Sequence, residues 1–131
     1  MPPEETRTGD PAEWLRFAQG DLKLARASSP GIPTELLCFH AQQAAEKAIK
    51  AVLLSVSLPV PHVHDIKLLF DRLPVPVNVS RSVQRAPRLT KYAVISRYPA
   101  DLGVVGEKEY REALLLVEAT VRWAEVQVKK R

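Results

Sequence analysis

Apolar residues recur along this chain at spacings of three and four, the period of helices that bury one side. The first such run opens at "DPAE", where Asp10 can cap, Pro11 suits the first helical position and Glu13 sits where a capping box places an acid. Leu15, Ala18, Leu22 and Ala25 follow as its core face, and Trp14 and Phe17 are expected to widen it. The segment "SSPGIP" ends this helix. A second helix is predicted from about Pro33 to Ser55, with Leu37, Ala41, Ala44, Ala45, Ala48, Ala51 and Val52 on one broad arc. An arc that wide implies several neighbours, so this is expected to be the central helix. Gln42, Gln43, Glu46, Lys47 and Lys50 are placed on its polar side, with Glu46 and Lys50 as an i,i+4 pair.

Proline-rich breaks punctuate the rest. After "SLPVP" a short helix is predicted from about Asp65, with Ile66, Leu69, Phe70 and Leu73 at i, i+3, i+4 and i+7. After "PVPVN" a fourth helix is predicted over about Val79 to Ser96, kinked or restarted at Pro87 and ended by the Tyr98–Pro99 step. The last helix is predicted over about Glu107 to Val128, with Tyr110, Ala113, Val117, Thr120, Val121 and Ala124 inward. No stretch alternates with period two convincingly enough to read as strand. The expectation is an all-α, antiparallel up-and-down bundle of four to five helices: one domain over residues 10–131, preceded by a flexible tail over residues 1–9.

Composition adds limits. With 46% hydrophobic but only 6% aromatic residues, core volume must come from Leu, Val and Ala. No apolar run reaches the roughly 18 residues of a membrane span. The lone Cys38 excludes an internal disulfide and fits a reducing cytoplasm. Net charge is +4, and its placement matters more than its sum. Between Asp71 and Asp101 there is no acidic residue, yet Arg81, Arg85, Arg88 and Lys91 follow one another at spacings of four, three and three. On a helix they form one basic stripe, suited to phosphates or an acidic protein surface.

Candidate chemistry is sparse. His62, His64 and Asp65 invite a metal reading, but a zinc site needs three or four converging ligands, and only His40 and Cys38 remain to supply them. The better reading of "HVHD" is a helix start, with Asp65 capping and His64 bracing the turn. No glycine elbow accompanies Ser80, Ser82 or Ser96, and none of the 5 glycines falls in a phosphate-loop pattern. No metal, cofactor or catalytic residue is therefore assigned.

The order "CFHAQQAAEKAIKAVLLS", "PHVHDIKLLFDRL", "YAVISRYPAD", then a long amphipathic helix resembles the HEPN domain family over about residues 12 to 128. The resemblance implies a helical bundle that forms a homodimer and is paired with a minimal nucleotidyltransferase in a toxin–antitoxin-like complex, with nucleotide or RNA as ligand. It draws Arg97, Tyr98, His64, Asp65 and Lys50 together as a nucleotide- or phosphate-binding cluster. Some members of the family are metal-independent ribonucleases marked by an arginine followed, after four to six residues, by a histidine. This chain departs from that signature: the positions that far beyond Arg97 are Leu102, Gly103 and Val104, and no arginine ahead of His40, His62 or His64 has the spacing. A binding protein is the leading expectation. A ribonuclease toxin with a degenerate site, using Arg97 with Tyr98 or His64, is the alternative.

Overall fold

The structure is a computed structural model that describes residues 9–75, 77–94 and 103–131. It is an all-α, antiparallel up-and-down bundle. Helix α1 spans Pro11–Ala25, α2 Thr34–Ser55, α3 Ile66–Asp71 and α4 Glu107–Lys129, with a 3-10 helix over Ala86–Val94 between α3 and α4. The expected tail lies, apart from Gly9, outside the described residues. No helix among the described residues is long and apolar enough to cross a membrane.

Local signals explain the helix ends. Asp10 caps α1 by accepting from the backbone N–H of Glu13 at 2.9 Å, and Pro11 follows in the first turn. The Glu13 side chain pairs with Arg16 at 3.0 Å, turning along the helix instead of closing a reciprocal box. Asp65 caps α3 by accepting from Lys67 N–H at 3.0 Å. Helix α2 ends in a Schellman pattern: Leu58 N–H reaches the Leu53 carbonyl at 3.0 Å, with Ser57 at φ 63°.

Helix α2 packs against α1, α3, α4 and the 3-10 helix, which is the central position its alanines predict. Leu37, Ala41, Ala44, Ala45, Ala48, Ala51 and Val52 are all buried, and so is the predicted inner face of α4. Alanine leaves short side chains between helices, so neighbours approach on several sides at once. Three features depart from expectation. Phe17 is 53% exposed, because α1 turns its other flank to α2. Gln42, Glu46 and Lys50 are buried, because a central helix has little polar side left to show. The fourth helix is not α-helical from Val79: residues 81–85 form turns, and a 3-10 helix runs from Ala86. Pro87 sits near the start of that helix, where its missing N–H costs least. The part of the predicted helix beyond Val94 lies outside the described residues.

Long-range polar contacts fix the remaining joints. The Tyr110 hydroxyl donates to the Ala25 carbonyl at 2.6 Å, tying α4 to the end of α1. Trp123 Nε1 donates to the Asn78 carbonyl at 2.8 Å, and the Trp123 ring meets Phe70 edge-on. The loop entering the 3-10 helix is thus pinned against α4, which sets the position of the basic residues.

Candidate functional site

The basic residues lie on a segment of period three. Val83 N–H bonds to the Ser80 carbonyl, Ala86 to Val83 and Arg88 to Arg85, each reaching back three residues at 2.9–3.0 Å. With three residues per turn, side chains three apart eclipse one another. Val83, Ala86, Leu89 and Tyr92 accordingly form the buried edge, and Arg85, Arg88 and Lys91 an exposed one. Arg81 joins them at the mouth of a cleft of about 1000 Å³ between this segment and α4. The opposite wall carries Leu115, Leu116 and Ala119, with Glu109 and Glu112 beside them.

The stripe is therefore less uncompensated than its own segment suggests. Lys91 pairs with Glu109 at 3.0 Å, and the Tyr92 hydroxyl donates to the same carboxylate. Those two bonds, Tyr92 first, hold the Glu109 carboxyl below the usual range, against a smaller effect of burial. Burial, then the bond to Glu109, pushes the Tyr92 phenol far up. Arg81, Arg85 and Arg88 are exposed and have no carboxylate partner among the described residues. Behind Tyr92 lies Cys38, fully buried. Burial, and then the charge of Glu109, pushes its thiol up to about 11, so it stays protonated and unreactive near neutral pH.

A second polar cluster gathers around Glu46, a residue that sequence reasoning placed on the polar side of α2 but not in the site. One oxygen of its carboxylate accepts from Gln42 Nε2 at 2.8 Å and meets His64 Nδ1 at 3.0 Å. The other accepts from Lys50 Nζ at 2.8 Å. Burial alone would raise the Glu46 pKa; the bond and charge of Lys50, with the bonds from Gln42 and His64, outweigh it and hold the group below its ordinary value. Lys50 also faces the Trp14 ring, 5.7 Å from its centroid. His64 and Lys50 thus meet on one carboxylate. Asp65 is turned to its own helix as a cap, and Ile66 N–H donates to Thr90 Oγ1 at 3.1 Å, joining this corner to the 3-10 helix. Arg97 and Tyr98 lie outside the described residues.

The signal for Glu46 was present in the sequence. Gln42, Glu46 and Lys50 stand at i, i+4 and i+8, one line along a helix otherwise rich in alanine, with charges spaced to neutralise each other. A similar network joins α1 to α2: buried Asp21 meets Lys47 at 2.5 Å and His40 at 3.2 Å. Among the described residues, no group of three or more His, Cys, Asp or Glu side chains is placed to hold a metal ion.

Comparison with known proteins agrees with this architecture. Residues 11–127 match the model of the HEPN domain. The crystal structure of TT1696 from Thermus thermophilus matches with a TM-score of 0.76 at 33% identity, over 89% of this chain and 97% of that one. The crystal structure of ST0689, described as an archaeal HEPN homologue, matches with a TM-score of 0.71 at 28% identity, over 92% and 98%. Among curated proteins, none matches.

Proposed function

The chain belongs to the HEPN domain family, and from that footing we propose that it is a nucleotide- or RNA-associated binding protein and the partner of a minimal nucleotidyltransferase. The pair would act as a toxin–antitoxin-like complex in the cytoplasm, with this chain as a homodimer. The observation that carries the reading is the arginine wall. Arg81, Arg85 and Arg88 face solvent at the rim of a cleft without carboxylate partners among the described residues. Exposed cations clustered along one cleft attract an anionic surface, whether of protein or of phosphate. The absence of the arginine–histidine signature from the sequence supports binding over cleavage. The test is co-expression with the product of the neighbouring gene. A nucleotidyltransferase that co-purifies in fixed ratio supports the reading; if none is encoded there or none is retained, the reading fails.

One observation favours a second reading, a metal-independent ribonuclease with a degenerate site. His64 is 71% exposed, yet its ring is held through Nδ1 by a buried carboxylate. That arrangement engages Nδ1 and leaves the other ring nitrogen, Nε2, without a hydrogen-bond partner among the described residues, as an acid/base group requires. RNA cleavage by the wild type that disappears in both His64→Ala and Arg97→Ala would favour it. No cleavage, or cleavage that survives both changes, removes it.

A further inference from the structure

We propose that the cleft docks an acidic amphipathic α-helix of the partner protein. The inference rests on the reading above and names the chemistry that would hold the partner.

The arginine wall has a pitch set by its backbone. Arg85 is the last residue before the 3-10 helix and Arg88 lies in its first turn; the bond from Arg88 N–H to the Arg85 carbonyl closes a three-residue turn, so at a rise of about 2 Å per residue the two stand roughly 6 Å apart. An α-helix rises 1.5 Å per residue, so carboxylates at i and i+4 also stand about 6 Å apart. Glutamates along one edge of a docked helix therefore keep step with the guanidinium groups, each of which can take a carboxylate with two parallel bonds. The facing wall suits the neighbouring edge of such a helix. Leu115 on α4 is 69% exposed, with Leu116 and Ala119 beside it, and leucines of the ligand can cover them. The volume of about 1000 Å³ is at the upper end for small-molecule sites and fits an elongated occupant.

The same cleft is poorly made for a nucleic acid strand. Glu112 lies on the α4 wall and Glu109 beside Lys91, so phosphates drawn by the arginines would meet two carboxylates. A helix can instead offer a lysine to Glu112. Single strands are held largely by bases stacked on exposed aromatic rings. The aromatic ring lining this cleft, Tyr92, is 2% exposed and its hydroxyl is engaged by Glu109.

The test uses the full chain and three fluorescent probes read by anisotropy. One is a short synthetic helix with glutamates at every fourth position and leucines on the adjoining edge. The second has the same composition in scrambled order. The third is a single-stranded oligouridine of equal charge. The expected result is saturable binding of the ordered acidic helix alone, weakened about ten-fold or more by the double change Arg85→Glu and Arg88→Glu. A helix with lysines in place of the glutamates should bind that variant and not the wild type. Both arginines are exposed, so the variant's circular dichroism should match the wild type. Equal binding of the scrambled peptide, or no binding of the ordered one, overturns the inference. If oligouridine binds in an arginine-dependent way and the helix does not, the inference falls while the nucleotide-related function stands. If the nucleotidyltransferase co-purifies equally with the wild type and the double variant, the inference falls while the partnership stands.

Discussion

Glu46 is the residue on which separate segments converge. Its carboxylate meets Gln42 and Lys50 from its own helix and His64 from the approach to α3. A buried ion pair adds little over an apolar substitute, but removing one partner strands the other, at a cost of about 3–5 kcal/mol. Glu46→Gln is expected to destabilise the protein by about that amount at neutral pH, and adding Lys50→Met should restore much of it. The acid response follows from the direction of the pKa shift. The folded value lies below the unfolded one, so the folded state binds fewer protons there. The contribution is complete above the unfolded value near 4.5 and is lost as pH falls through the lower folded value. Urea unfolding of the wild type across mildly acidic pH should show this loss, and Glu46→Gln should flatten it. Equal pH dependence in both proteins would contradict the role given to Glu46. At this scale the sequence was readable for Asp10 and Asp65, whose caps act within three residues. It was less readable for Glu46, because polar residues on an amphipathic helix ordinarily face water. Only the enclosure of α2 by four neighbours reverses that rule.

Among the elements, the 3-10 segment departs most from the helical pattern read in the sequence. Its apolar residues recur at every third position, Val83, Ala86, Leu89 and Tyr92. Over the nine steps from Val83 to Tyr92 an α-helix would turn Tyr92 roughly 180° from Val83. A 3-10 helix completes whole turns and keeps all four on one edge. The strict period of three was thus a legible signal, and a looser reading of "three or four" hides it. Two predictions test the assignment. Leu89→Ala is expected to cost about 3 kcal/mol, as for a filled core position. Arg88→Ala, one residue away on the exposed edge, should change stability by no more than about 0.5 kcal/mol. Comparable losses from both would contradict the three-fold register. At the end of α2, Ser57 occupies the left-handed region at φ 63°. That conformation costs a side-chain-bearing residue roughly 1–2 kcal/mol, so Ser57→Gly should raise the thermal midpoint and Ser57→Val lower it. A Ser57→Gly protein no more stable than the wild type would count against the Schellman end.

For the molecule as a whole, helix number, order and the central place of α2 were legible, because helical periodicity and proline breaks are local signals. Long-range compensation was not. The acid-free interval from Asp71 to Asp101 singled out the arginines as a group in the sequence. It could not show that α4 brings Glu109 to Lys91 and sets Glu112 across the cleft, since those residues are remote in sequence. The result is a basic wall facing an apolar and acidic one, closer in character to a protein docking surface than to a plain phosphate-binding face. The partnership proposed above has the arginine wall joining this chain to a nucleotidyltransferase. Native mass spectrometry of the chain co-expressed with the neighbouring gene's product decides the matter. A mixed assembly is expected with the wild type, and loss of that assembly while the chain stays folded when Arg85 and Arg88 are both changed to Glu. A chain recovered without the nucleotidyltransferase, or a mixed assembly indifferent to the two arginines, would contradict it.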